Sequence, residues 1–169
     1  DAIRRMSAQQ SVVAYDGKSG QTTELLPEGK ISNYDIAEDA TVATFSEDVT
    51  KKTDYDVIFG TENQLMARRL DCTAAAQAAD CTKPRTLMAS LKQTQIQWAR
   101  DGKHYAYSKE GRVFLATVGD TSSKQIAGLP ANAKADPADT SKESRDRREK
   151  ERFSVSRYSP AGDALVLSN

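Results

Sequence analysis

With 169 residues, the chain can form one domain that buries about 70% of its unfolded surface. Its 24 basic side chains balance 24 acidic ones, which removes the net basic footprint that nucleic-acid binding requires. A hydrophobic fraction of 38% and a mean hydropathy of -0.65 describe a polar but globular composition, and no apolar run approaches the roughly 18–20 residues of a membrane span.

From Asp1 the chain shows no apolar signal core, so any secretion signal is expected to be absent already. The first strands are expected at Ser11–Asp16 (SVVAYD) and Thr22–Leu26 (TTELL). Asp16-Gly17 and Ser19-Gly20 supply turn chemistry between them. Ser32–Ala37 and Thr41–Ser46 follow, then Leu65–Leu70 and Arg85–Ser90. The extra length of this second group lies at Glu47–Asn63 and Asp71–Lys83. Thr73–Asp80 (TAAAQAAD) has high helix propensity, with Thr73 as a candidate N-cap, and reads as a short helical turn.

A third group is expected at Thr94–Arg100, His104–Ser108, Val113–Val118 and Lys124–Leu129. Asp101-Gly102 is its strongest hairpin signal, Lys109-Glu110-Gly111 a second, and Gly119-Asp120 a third. Pro130–Arg152 then opens as a polar loop and continues as SKESRDRREKER, with ten charged residues in twelve. Opposite charges recur there at i,i+4, and Thr140 with Glu143 fits a capping box, so a helix of about three turns is expected. It has no apolar stripe to dock, and its net charge of +2 is weak for nucleic acid. The last strands are expected at Phe153–Tyr158 and Asp163–Ser168.

One phrase recurs through this order. Ile36–Ser46 (IAEDATVATFS), Trp98–Ser108 (WARDGKHYAYS) and Tyr158–Ser168 (YSPAGDALVLS) each join an apolar start, a small residue, a turn and an alternating strand ending in Ser. The copies are 62 and 60 residues apart, and self-similarity at a fixed period marks a repeat architecture. The repeat turns are Asp39-Ala40, Asp101-Gly102 and Ala161-Gly162. Four strands in about 40 residues make one propeller blade. The chain therefore divides into a blade remnant at 11–30, a blade at 31–90, a blade at 92–129, the charged insertion at 130–152 and a half blade at 153–169. The expected fold is all-β: a partial β-propeller of four-stranded antiparallel blades with a disulfide-closed insertion and a charged helical one. Three blades' worth of strands falls short of the usual four to eight, so a segment of a longer propeller is expected.

The two cysteines, Cys72 and Cys81, lie nine positions apart. A bridge over this short loop would stabilise by roughly 2–3 kcal/mol and would place the chain in an oxidising compartment. The alternative is a pair of free thiols. With two cysteines and one histidine, a zinc site lacks ligands, and no cofactor motif is present. Asp54, Asp56 and Glu62 read as solvated loop acids, since the calcium-loop pattern is missing. Trp98, Tyr105, Tyr107 and Phe114 read as core aromatics rather than a stacking platform for ligands.

Tyr158-Ser159-Pro160-Ala161-Gly162-Asp163 and Trp98-Ala99-Arg100-Asp101-Gly102-Lys103 resemble the aromatic-S-P-D-G-K phrase of TolB-like, or PD40 (WD40-like), propeller repeats. Tyr105–Ser108 followed by Gly111–Leu115 resembles the rest of that repeat. Such blades form periplasmic TolB and the propeller domain of the prolyl oligopeptidase family of serine peptidases, which includes dipeptidyl peptidases. The long insertions look more like the peptidase propellers. The resemblance implies a periplasmic or secreted protein. It also implies partners in further propeller blades, an α/β-hydrolase domain and a peptide or protein ligand.

No catalytic residue is expected in this chain. The nucleophile elbow G-x-S-x-G is absent, and so is the Glu-Glu dipeptide with which dipeptidyl peptidases hold the substrate amine. His104 reads as a strand residue, so a Ser–His–acid triad is not expected. The leading expectation is a non-catalytic propeller segment of such a peptidase, restricting access to its active site. The alternative is a TolB-like module that binds a protein partner. Half blades at both ends would leave open strand edges and favour self-association.

Overall fold

A computed structural model of the chain describes residues 9–50, 61–72, 82–130 and 141–169. They form antiparallel sheets and one helix. The strands are β1 (Gln10–Tyr15), β2 (Thr22–Gly29), β3 (Ile31–Ile36), β4 (Val42–Asp48), β5 (Asn63–Arg69), β6 (Arg85–Met88), β7 (Thr94–Trp98), β8 (His104–Lys109), β9 (Arg112–Thr117), β10 (Lys124–Ala127), β11 (Ser154–Tyr158) and β12 (Leu165–Ser168). The helix α1 spans Lys142–Lys150. The sheets are β1-β2, β3-β4-β5-β6, β7-β8-β9-β10 and β11-β12. The chain separates into two compact units between Lys92 and Gln93.

The first unit packs the β1-β2 hairpin against the β3–β6 sheet. Leu26, Ile31, Ala43, Phe45 and Met66 are buried together, with Val12, Ile36 and Leu70 packed against them. Val42 to Ser46 are buried at every position, so β4 shows no in–out alternation, as befits a central strand covered on both faces. Arg68 fastens the layers. Its guanidinium donates to the Leu25 carbonyl of β2 at 2.7 Å and to the Thr82 carbonyl at 3.1 Å.

The second unit repeats this plan with the partners in the opposite order: the four-stranded β7–β10 sheet comes first and the β11-β12 hairpin covers it. Ala106, Val113 and Val155 are buried, and Leu115, Ala127, Phe153, Tyr158, Leu165 and Leu167 pack around them. The Phe153 amide donates to the Gly111 carbonyl at 2.9 Å, which brings the chain back beside the β8–β9 turn after α1.

The recurring phrase forms one and the same turn three times. The Ala37, Ala99 and Ser159 amides donate to the carbonyls of Val42, His104 and Ala164 at 2.9, 2.9 and 2.8 Å. Inside each turn, the Ala40, Gly102 and Gly162 amides donate back to residues 37, 99 and 159 at 2.8, 3.0 and 2.9 Å. These three residues take left-handed φ values of 55°, 68° and 78°. Glycine adopts that conformation freely, whereas Ala40 holds it at a steric cost.

A β-bulge also recurs, between the third and fourth strand of each group. Leu65 pairs with Met88 and Met66 with Thr86, passing over Leu87. Val113 pairs with Ala127 and Phe114 with Gln125, passing over Ile126. Val12 pairs with Leu26 and Val13 with Glu24, passing over Leu25. The β1-β2 hairpin shares this bulge with the third and fourth strands of both four-stranded sheets, and the β11-β12 hairpin shares its turn with their first and second strands.

Several boundaries differ from expectation. β10 stops at Ala127 rather than Leu129, because Gly128 turns to φ 91°. β12 starts at Leu165 rather than Asp163, because Asp163 and Ala164 belong to the turn. α1 is capped by Ser141, whose Oγ accepts from the Ser144 amide at 3.2 Å while its carbonyl accepts from the Arg145 amide at 3.2 Å. The helix therefore begins one residue later than a Thr140–Glu143 box would set it, and Thr140 lies outside the described residues. So do Thr73–Asp80, Cys81, Asp54 and Asp56. Among the described residues no helix is long and apolar enough to cross a membrane.

Candidate functional site

The repeat brings chemistry to one end of the second unit. Three segments converge there: the β7–β8 turn, the connection from β9 to β10, and the β11–β12 turn. Between them lies a cleft of about 680 Å³. Ala99, Leu115, Ala116 and Leu165 give it apolar walls, while Asp101, His104, Asp120, Lys124, Tyr158 and Asp163 supply polar groups.

Asp101 is the best-anchored of these. Its Oδ1 accepts from the Lys103 amide at 2.9 Å and the His104 amide at 3.0 Å. Its Oδ2 meets His104 Nδ1. Burial pushes the Asp101 carboxyl up, but the His104 amide, the His104 ring, the Lys103 amide and the His104 charge together hold it below its ordinary 3.8. A carboxyl depressed on folding stabilises fully above its unfolded pKa, and that contribution is lost as pH falls through the lower folded value. Tyr158 moves the other way: burial, and then the negative charge of Asp101, raise its phenol.

The matching acid is present in the first turn and absent from the third. Asp39 Oδ1 accepts from the Thr41 amide at 3.1 Å and from Thr41 Oγ1 at 2.7 Å. Ala161 stands at that position in the third turn and offers no oxygen. Ser159 takes over: its Oγ accepts from the Ala164 amide at 3.2 Å and donates to Asp163 Oδ1 at 2.7 Å.

Of the six repeat-turn residues, Asp101 and Gly162 line the cleft. Asp39 and Ala40 form the corresponding turn of the first unit, and Ala161 is exposed. Cys72 follows β5, whereas its expected partner Cys81 lies outside the described residues. Sequence reasoning passed over Tyr158, Asp163, Asp120 and Lys124 as site residues. For Tyr158 and Asp163 the available signal was the repeat itself, because successive repeats become neighbours in space, whereas Asp120 and Lys124 lie outside the repeated phrase.

The aromatics line up across three strands. Trp98 faces Tyr105 with ring centroids 4.8 Å apart, Tyr105 lies 6.2 Å from Tyr107, and Tyr107 stacks on Phe114 at 4.9 Å. Strand pairing sets the ladder, since Trp98 opposes Tyr105 and Tyr107 opposes Phe114. Tyr105 is buried, while Trp98, Tyr107 and Phe114 are half-buried.

Chemically, the cleft sets apolar walls beside oriented polar groups. Asp101 orients the His104 ring, yet among the described residues no serine hydroxyl hydrogen-bonds to that ring. Nor, among them, do three or more His, Cys, Asp or Glu side chains gather to hold a metal ion. No family model matches the chain, and no curated protein matches it.

Proposed function

We propose that the chain is a non-catalytic segment of a TolB-like β-propeller that belongs to a periplasmic or secreted serine peptidase of the prolyl oligopeptidase kind. In this reading the propeller restricts access to an active site carried on an α/β-hydrolase domain. The observation that carries it is the triple recurrence of one hydrogen-bonded turn within four-stranded antiparallel groups. The same proposal includes the Cys72–Cys81 bridge, which would close the insertion after β5 and suit an oxidising compartment. The cleft favours a second reading, a TolB-like module that binds a peptide or protein, because it pairs apolar walls with oriented polar groups.

A fluorophosphonate probe, which reacts with activated serines, tests the choice. The isolated 169-residue chain is expected to stay unlabelled and to show no saturable peptide hydrolysis. The native polypeptide recognised by an antibody against this chain is expected to label. An unlabelled native polypeptide would overturn the peptidase reading in favour of the binding module. Labelling of the isolated chain, lost on His104→Ala, would overturn both.

A further inference from the structure

The charged insertion carries a motif that neither the cleft nor the repeat uses. Arg145-Asp146-Arg147-Arg148 is an Arg-x-Arg-Arg run, and no other occurs in the chain. Endoproteases that process at paired basic residues recognise such a run, because each guanidinium takes a paired hydrogen bond to a carboxylate of the enzyme. They cut on the carboxyl side of the last arginine, which here is the Arg148–Glu149 bond. Another arginine pair, Arg68-Arg69, is built into the fold instead. It lies in β5 with both residues paired to β4, and the Arg68 guanidinium donates to the Leu25 and Thr82 carbonyls.

The run lies on α1, whose nine residues include no apolar side chain. Arg145, Asp146, Glu149 and Lys150 are exposed. Arg148 is half-buried, and its guanidinium donates to Ser144 Oγ at 3.0 Å. A helix of this length with no apolar face is marginal in water, and its i,i+4 charge pairs add little. Local opening of α1 therefore costs far less than opening a strand of the sheets, and it presents the run as the extended chain a protease binds. The residues beyond the bond are held more firmly. Asn169 Nδ2 donates to the Lys150 carbonyl at 3.1 Å, and the Phe153 amide donates to the Gly111 carbonyl at 2.9 Å.

We infer that the Arg148–Glu149 bond is a processing site for an endoprotease selective for paired basic residues, and that the product is a two-chain protein that stays assembled. Water is the only co-reactant. Its hydroxyl goes to the Arg148 carbonyl carbon and its proton to the Glu149 nitrogen, which end as carboxylate and ammonium. Cys72 and Cys81 both precede the bond, so no disulfide joins the pieces. The piece from Glu149 onward is held by packing. Val155 is buried with Ala106 and Val113, and Phe153, Tyr158, Leu165 and Leu167 close around them. The inference depends on the charged insertion and not on the peptidase reading.

Limited digestion tests it. The 169-residue protein is treated with a subtilisin-type endoprotease of Arg-x-Arg-Arg specificity, and the products are read by mass spectrometry and gel filtration. One cut after Arg148 is expected, with fragments 1–148 and 149–169 eluting together until denaturant is added. Arg148→Ala is expected to abolish the cut without altering the circular dichroism. Ser141→Ala removes the hydroxyl that caps α1 and is expected to speed the cut about fivefold. The polypeptide isolated from its natural source is expected to show a chain end at Arg148 and a chain start at Glu149. Four results would each overturn the inference: cutting only after denaturation, separation of the fragments under native conditions, no acceleration in Ser141→Ala, or an intact Arg148–Glu149 bond in the natural polypeptide.

Discussion

Replacing Gly128 with Ala is expected to destabilise the second unit by about 3 kcal/mol or more, from strain and overpacking together. A Cβ at this position would lie 2.6 Å from the Gly111 carbonyl oxygen and 2.8 Å from Arg112 Cα. Both obstacles are backbone, so neither can swing aside as a side-chain end would. The residue also sits at φ 91°, which L side chains rarely adopt. The site joins the end of β10 to the β8–β9 turn, and the Gly111 carbonyl there accepts the Phe153 amide. A shift of that carbonyl would therefore loosen the return of the chain into β11. Amide exchange should show lost protection in β9 and β10, with Phe153 following. The control is Gly17→Ala, where a Cβ meets nothing within 4 Å, and its exchange should be unchanged. Equal stability for the two variants would mean that the approach of Gly128 to the β8–β9 turn is wrong.

Leu26→Ala is expected to cost about 2–5 kcal/mol in the first unit. Leu26 is fully buried and packs with Ile31, Ala43, Phe45 and Met66. Its loss opens a cavity between the β1-β2 hairpin and the four-stranded sheet. A two-stranded hairpin is not stable in water by itself, so the hairpin should undock before the sheet unfolds. Amide exchange should then accelerate through β1 and β2 while β4 and β5 keep their protection. Arg68 makes the same joint from the polar side, by its hydrogen bond to the Leu25 carbonyl. Uniform loss of protection across the unit would show that hairpin and sheet do not separate.

The strands were legible because the turns between them carry their own chemistry. Asp101-Gly102 and Glu110-Gly111 place residues where φ is positive, and the structure uses Gly102, Glu110 and Gly111 in that way. Ala40 was a weaker signal, and it holds its turn only because the surrounding hydrogen bonds repeat those of the glycine turns. The bulges were not read, although each coincides with an adjacent apolar pair that follows a polar start to the strand: Leu25-Leu26, Leu87-Met88 and Ile126-Ala127. The cleft could not be read locally, since residues 99–104, 115–124 and 158–165 meet only after the sheets have packed. The helix cap was misplaced by one residue because Thr140 and Ser141 both carry a hydroxyl oxygen able to accept the cap hydrogen bond, and the sequence alone does not choose between them.

One hydrogen-bonded structural unit occurs at 37–42, 99–104 and 159–164. Scalar couplings transmitted through hydrogen bonds, measured by NMR on isotope-labelled protein, test it most directly. A coupling is expected from the Ala37 amide to the Val42 carbonyl, from Ala99 to His104 and from Ser159 to Ala164. Absence of any one of these couplings in the folded protein, with its amide exchanging freely, would contradict it.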